Sequence, residues 1–150
     1  MQSIRDFMSG DHRRCDDIFA EVEQAMAQEQ WERATETFAR FQGAVLQHFA
    51  AEETTLFPAF EERSGMPMGP TQVMRGEHIQ MRELMEAARA GLAARDADDY
   101  SGNAETLLIM MQQHNMKEEN VLYPMCDQNL AAESDALVPQ LQREMPGSLA

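Results

Sequence analysis

Basic side chains are scarce in this sequence of 150 residues, and their scarcity excludes two classes of partner. Asp and Glu outnumber Lys and Arg by 26 to 12, which gives a formal net charge of -14, and Lys117 is the only lysine. DNA and anionic lipid surfaces recruit Lys and Arg. We therefore expect neither a nucleic acid nor a membrane as a partner.

Cysteines and long apolar segments are also few. The two cysteines, Cys15 and Cys126, do not make a disulfide framework. The longest unbroken apolar run covers only residues 107–111, which is far too short to cross a bilayer. The first residues contain no apolar stretch typical of a secretory signal. These features predict a cytoplasmic protein with reduced thiols.

The alternation of apolar and polar residues that strands require is missing as well. Four segments are instead rich in Ala, Glu, Gln, Met, Leu and Arg, which favour helices. They predict helices at about residues 11–28, 31–63, 71–95 and 99–129. Apolar residues recur along each segment at steps of three and four, as in a helix with one buried face. We therefore predict an all-α fold, an antiparallel up-down-up-down four-helix bundle.

The predicted bundle forms one domain over residues 1–130, and residues 131–150 form a C-terminal tail. Ser134 can cap a short helix in this tail, whereas Pro139 and Pro146 limit its length. The apolar side chains of the tail allow it to dock on the bundle or on a partner, and the sequence leaves both open.

The two halves of the sequence repeat at an offset of 66 residues. The segment HFAAEETTLFP at residues 48–58 recurs as HNMKEENVLYP at residues 114–124, and Asp-His at 11–12 recurs as Glu-His at 77–78. Two helical hairpins related by a pseudo-two-fold axis would bring the four histidines and two glutamates to one level. Pro58 and Pro124, which end the two repeated segments, have no N–H to donate, so we expect both helices to kink there.

Every histidine of the protein belongs to this repeat. A His and a Glu four residues apart lie on one face of a helix and can bind the same metal cluster. Two buried carboxylates without partners would each cost several kcal/mol, and bound metal removes that cost. We therefore predict that the inward-facing histidines and glutamates are metal ligands: His12, His48, Glu52, His78, His114 and Glu118.

Six ligands are too many for one tetrahedral zinc ion, but they suit two ions that share the two carboxylates. Imidazole and carboxylate ligands in a helix bundle fit iron or manganese. The Glu-x-x-His signature of ferritin-like di-iron proteins is absent, because none of the four histidines has a Glu three residues before it. The pattern is a separate arrangement, in which His precedes Glu by four residues.

Across residues 11–124, these motifs resemble the hemerythrin HHE cation-binding domain family. The resemblance implies a non-haem di-iron cofactor, two Fe ions joined by an oxo or hydroxo group. It makes the four histidines terminal ligands, and it makes Glu52 and Glu118 bridging ligands. Oxygen-carrying hemerythrins have a fifth histidine where this sequence has Arg82. The ligand set is more similar to the di-iron domain of iron–sulfur cluster repair proteins, whose cysteine-bearing N-terminal domain the sequence does not contain.

The resemblance implies a protein that binds iron and, at open iron positions, a small diatomic or anionic ligand such as dioxygen, nitric oxide or peroxide. Two alternatives stay open. One is a di-iron oxidase, peroxidase or nitric oxide-detoxifying enzyme. The other is an iron donor that repairs damaged iron–sulfur clusters in a stress response. The sequence also leaves open a redox or client protein partner and the oligomeric state.

Residues beside the six predicted ligands have two interpretations each. Asp16 is either a seventh ligand or an ion-pair partner of Arg82, and we favour the ion pair, which satisfies both charges. Cys15 can bind iron as a thiolate or pack in the core, and the methionine at the matching position of the other half favours packing. Glu53 and Glu119 are rotated off the inner helix faces, which favours a supporting or surface role.

Overall fold

Every regular element of the computed structural model is helical within residues 2–149, the part of the chain that the structure describes. The α-helices of this range are α1 (Ile4–Ala27), α2 (Trp31–Ala51), α3 (Phe57–Ser64), α4 (Pro70–Ala93), α5 (Ala97–Lys117), α6 (Tyr123–Asn129) and α7 (Ser134–Glu144). A 3-10 turn, Pro146–Leu149, follows α7. The predicted all-α fold is confirmed. None of the helices in this range is long and apolar enough to cross a lipid bilayer.

Two π-helical turns, Glu52–Leu56 and Glu118–Leu122, interrupt the segments predicted as continuous helices at 31–63 and 99–129. Each turn leads into a helix that has a proline in its first turn, Pro58 in α3 and Pro124 in α6. Because proline has no N–H to donate to the carbonyl four residues earlier, the regular α-helical hydrogen bonds cannot continue through it. A π turn accommodates this interruption without ending the helix.

Helix α1 begins at Ile4, well before the start predicted at residue 11. The Ser3 hydroxyl accepts a hydrogen bond from the backbone N–H of Asp6 at 2.9 Å, which caps the helix. The Asp127 carboxylate accepts the N–H groups of Ile4 at 2.8 Å and Arg5 at 3.1 Å. Asp127 lies in α6, so this second cap is a tertiary contact that the local sequence does not reveal.

The long helices pack as two hairpins, α1 on α2 and α4 on α5, and contacts between α2 and α4 join them. Two apolar clusters fill the interior. The first lies toward the hairpin turns and includes Phe38, Phe41, Met81, Met85 and Tyr100. The second lies at the other end and includes Leu56, Phe57, Phe60, Leu122 and Tyr123. Between the two clusters, residues on α1, α2, α4, α5 and the two π turns form a buried polar level.

Helix α7 packs on the second apolar cluster and buries one apolar face there, formed by Leu137, Val138 and Leu141. Pro139 lies inside the helix, and the helix ends shortly before Pro146. The sequence left open whether the tail docks on the bundle or on a partner. In the structure, α7 docks on the bundle of its own chain. Residues 1 and 150, the outer bounds of the two predicted segments, lie outside the described residues.

Candidate metal centre

Six polar side chains meet in the level between the two apolar clusters. All are buried, with at most 5% of each residue exposed: His12, His48, Glu52, His78, His114 and Glu118. The residues form two overlapping groups, and in each group one nitrogen or oxygen atom from every residue lies within 4.8 Å of the others. His78 and His114 belong to one group with both glutamates, and His12 and His48 belong to the other with Glu118. The structure thus brings together all six residues that the sequence singled out.

Each imidazole directs its Nε2 atom toward one of the two buried glutamates. The Nε2–carboxylate distances are 3.1 Å for His12–Glu118, 3.4 Å for His114–Glu118, 3.6 Å for His48–Glu52 and 3.2 Å for His78–Glu52. Each carboxylate therefore contacts one imidazole of each group, so it lies on the boundary between them.

The other ring nitrogen of each histidine, Nδ1, is hydrogen-bonded to a carboxylate outside the group. The distances are 2.7 Å for His12–Glu119, 2.8 Å for His48–Asp11, 2.6 Å for His78–Glu53 and 2.8 Å for His114–Glu77. Because a carboxylate only accepts, the proton is fixed on Nδ1, and Nε2 is left to bind a proton or a metal. Sequence analysis missed this role for Asp11 and Glu77, although each directly precedes a histidine.

Basic side chains support three of these outer carboxylates. The pairs are Arg14–Asp11 at 2.7 Å, Arg82–Glu53 with two contacts of 2.9 Å, and Lys117–Glu77. Burial alone would raise the pKa of Asp11, but its contacts with His48 and Arg14 lower it below the ordinary value. Burial likewise opposes ionisation of Glu53, and hydrogen bonds from Arg82 and His78 lower its pKa. These carboxylates are therefore ionised acceptors for the histidines at neutral pH.

The expected ion pair between Asp16 and Arg82 is wrong. Arg82 donates both of its contacts to Glu53, and Asp16 is exposed on α1. The packing angle between helices decides which of two acids an arginine reaches, and helical periodicity does not contain that information. Burial raises the pKa of the Cys15 thiol to about 12, which keeps it protonated and disfavours the thiolate that iron binding needs.

The two buried glutamates act against burial on the pKa values of His48 and His114. Burial alone would lower the pKa of His114, but the negative charge of Glu118 outweighs this effect and raises it to about 9. Burial opposes the charged form of His48 too, and Glu52 and Asp11 raise its pKa well above the ordinary value. Burial would raise the pKa of Glu52, whereas contact with His48 holds it well below its usual range. When no metal is bound, the raised pKa values of His48 and His114 favour a proton on Nε2 as well as on Nδ1.

Four atoms of the group are buried and have no hydrogen-bond partner among residues 2–149: Glu52 Oε1, Glu118 Oε2, His78 Nε2 and His114 Nε2. His78 Nε2 and Glu52 Oε1 lie 3.2 Å apart, but their geometry is not that of a hydrogen bond. An unpaired buried polar atom costs about 1–3 kcal/mol. Neither glutamate contacts a Lys or Arg in the described chain, so bound cations are the groups that fit these atoms.

Tyr123 is a seventh polar residue at this level, and sequence analysis did not single it out. Its hydroxyl oxygen lies 2.7 Å from Glu52 Oε2, 3.0 Å from Glu118 Oε1, and 3.2 Å from Nε2 of both His12 and His48. Burial, together with the charges of the two glutamates, raises its pKa well above the ordinary value. In the repeated sequence motif, an aromatic residue precedes proline in both halves. The hydroxyl that distinguishes Tyr123 from Phe57 is the one feature of the sequence that could have indicated this role.

A cavity of about 10 Å³ adjoins His12 and His48. Cys15, Val45 and Phe49 line it, and all three belong to the first apolar cluster. A space of this size holds about one water-sized group. The cavity and the Tyr123 hydroxyl approach this pair of histidines from different ends of the interior, since Tyr123 belongs to the second cluster.

Comparison with known proteins agrees with this geometry. The family model of the hemerythrin HHE cation-binding domain matches residues 3–126, which include all six buried histidines and glutamates of the group. A search of curated proteins finds no match. A search of solved structures finds no match either. Because the family model covers most of the chain, the protein belongs to the hemerythrin HHE cation-binding domain family.

Proposed function

We propose that this protein binds two non-haem iron ions with the six buried side chains His12, His48, Glu52, His78, His114 and Glu118. One observation carries the proposal. Four Nε2 atoms converge on two buried carboxylates, while every Nδ1 atom already donates to another carboxylate. Metal-binding histidines in proteins have this arrangement. Membership of a cation-binding family supports the same function.

Two ions suit these donors better than one. Each pair of histidines would give its ion two imidazoles, and both carboxylates contact a member of each pair. Glu52 and Glu118 would therefore be shared between the ions. Imidazole and carboxylate donors fit iron, and they do not make the tetrahedral sulfur-rich site that structural zinc prefers.

The architecture that we propose for this site is an up-down-up-down bundle with a pseudo-two-fold axis. It has four long helical segments: α1; α2 continued by α3; α4; and α5 continued by α6. They belong to a domain at residues 1–130, which a tail at 131–150 follows. The four carboxylate–imidazole hydrogen bonds form two matching pairs, His12–Glu119 with His78–Glu53 and His48–Asp11 with His114–Glu77. The residues of each pair are related by the offset of 66, which supports the axis.

Bound iron would supply a Lewis acid that exchanges electrons with small oxidants. The chain fixes the imidazole tautomers through the outer carboxylates and keeps bulk water away with its two apolar clusters. The cavity beside His12 and His48 favours a small ligand such as dioxygen, nitric oxide or a peroxide-derived anion. The burial of the six side chains, with at most 5% of each residue exposed, favours retention of the ions over their donation to another protein.

Asp11→Asn is expected to weaken iron binding by roughly 10–100-fold, which is the usual effect of removing a carboxylate behind a metal-binding histidine. The neutral amide accepts a weaker hydrogen bond from His48 Nδ1 than the carboxylate does. Competition with a coloured chelator measures the affinity. Asp17→Asn, at an exposed position of the same helix, is the matched control. Equal affinities for Asp11→Asn and the unmodified protein would contradict a supporting role.

Optical titration of the iron-loaded protein with azide tests whether the protein binds small ligands. Cys15→Met places in the cavity the residue that the other half has at the matching position, Met81. We expect it to weaken azide binding by about 10-fold or more, because even one extra methylene in a small pocket has such an effect. The iron content should stay the same.

The azide titration and a turnover assay together separate the alternatives. Unchanged azide affinity in Cys15→Met would show that ligands do not use this cavity. Sustained consumption of peroxide or nitric oxide by the iron-loaded protein would favour an enzyme over a binding protein. If the purified chain, supplied with ferrous iron, takes up none, the proposed function itself fails.

A further inference from the structure

The two histidine pairs of the candidate metal centre, His12 with His48 and His78 with His114, differ in the aromatic residue that lies beside them. Tyr123 in one half and Phe57 in the other occupy matching positions of the repeat. Their rings also lie in matching places. The Tyr123 ring stacks on His12 with centroids 5.6 Å apart, and the Phe57 ring stacks on His78 with centroids 5.8 Å apart. The position of the aromatic ring thus repeats, and the hydroxyl is present beside the pair His12 and His48 alone.

The hydroxyl oxygen lies among donor atoms of the half formed by His12 and His48. Its four shortest contacts, to Glu52, Glu118 and these two imidazoles, are 2.7–3.2 Å long. Metal–nitrogen and metal–oxygen bonds of about 2.1 Å put neighbouring ligands of one octahedral ion about 3.0 Å apart. The phenol oxygen thus has the spacing of a ligand that adjoins four others.

We propose that Tyr123 is a seventh protein ligand, which binds the metal held by His12 and His48 through its phenolic oxygen. This inference rests on the proposed function. The metal held by His78 and His114 has no such ligand, because Phe57 stands at the matching position. The two metal positions are therefore chemically different, although the four histidines and two glutamates around them repeat.

The bonding change is simple to balance. The phenolic O–H bond breaks, an iron–oxygen bond forms, and the proton leaves to solvent, as protons do when metal displaces them from other ligands. No electron is transferred in this step. Ferric iron bound to a phenolate absorbs visible light by charge transfer from the ligand, whereas imidazole and carboxylate ligands do not produce that band.

The test compares the ferric proteins by iron content and visible absorption. The chain has only two tyrosines, so Tyr100→Phe is a matched control for Tyr123→Phe. Tyr100 lies in the first apolar cluster, away from the polar level. We expect the phenolate band in the unmodified protein and in Tyr100→Phe, and its loss in Tyr123→Phe with iron still bound. Phe57→Tyr should roughly double the band, because it gives the second ion the same ligand.

Resonance Raman spectra of the Tyr100→Phe protein provide a measurement that leaves Tyr123 intact. Phenolate vibrations enhanced at the visible band can then come from Tyr123 alone, so the test holds even if Tyr123→Phe fails to fold. An iron-loaded protein without these vibrations, or a band that survives in Tyr123→Phe, would overturn the proposal and leave the proposed function standing. Failure to load iron at all would overturn the proposed function instead.

Discussion

Removing iron with a chelator is expected to lower the melting temperature of the protein by roughly 10–15 °C at neutral pH. Only the folded chain brings the six proposed ligands together, so bound metal would stabilise the folded state alone. Free metal at a thousand times its dissociation constant adds about 4 kcal/mol. One kcal/mol shifts the melting temperature of a domain of this size by about 2–4 °C.

The difference between the iron-loaded and metal-free melting temperatures should increase between about pH 6.5 and pH 9. His114 has its pKa raised from 6.5 to about 9, and the pKa values of His12 and His48 are raised too. Groups with a raised pKa stabilise the folded state fully below the unfolded value, and this contribution is lost as the pH rises through the folded value. The metal-free protein therefore loses stability over this window.

The proposed iron binding should have the opposite pH dependence, because a protonated imidazole cannot bind a metal. Raising the pH removes the competing Nε2 protons and strengthens binding. Thermal unfolding followed by circular dichroism at pH 6.5, 7.5 and 9, with and without a chelator, measures both trends. A difference that stays constant or shrinks as the pH rises would mean that these histidines do not bind the metal.

Helical periodicity explains why much of the site could be anticipated from sequence. Residues four apart on a helix share a face, so His48 and Glu52 had to be neighbours once the segment was helical. The repeat at 66 residues then placed the second pair at the same level. The structure brings these residues together, and their binding of iron is the proposal that the experiments address.

Contacts between helices were beyond the reach of periodicity. Arg82 binds Glu53 and not Asp16, since the choice depends on how α4 packs against the π turn after α2. The start of α1 depends on Asp127, which lies more than a hundred residues away in the sequence. Position on a helix fixes the direction of a side chain, but the partner it meets depends on the packing of the neighbouring helix.

The role of Tyr123 illustrates a different limit. In the comparison of the two halves of the sequence, Phe57 and Tyr123 match as aromatic residues. A match of this kind identifies what the two halves share and does not identify how they differ. The role that we propose for Tyr123 depends on a hydroxyl that its counterpart Phe57 lacks. Its contacts with Glu52 and Glu118 became visible only when the helices were in place.

Glu52→Gln is expected to remove both metals, with a loss of affinity much larger than that of Glu53→Gln. Glu52 contacts His48 with one oxygen and His78 with the other, so the proposed bridge serves both ions. The amide has almost the same shape, but it lacks the negative charge and has only one oxygen. Loss of both ions together is therefore the expected result for a bridging carboxylate.

Glu53→Gln is the matched control, because Glu53 is the adjacent residue and, among residues 2–149, its side chain is hydrogen-bonded to His78 and Arg82 alone. It should weaken binding by roughly 10–100-fold, mainly at the position of His78 and His114. Iron per chain and stepwise metal titrations distinguish the two variants, and circular dichroism shows that both remain helical. If Glu52→Gln retains one tightly bound ion, Glu52 is a terminal ligand of a single metal. The two positions would then be independent sites without a shared bridge at this residue.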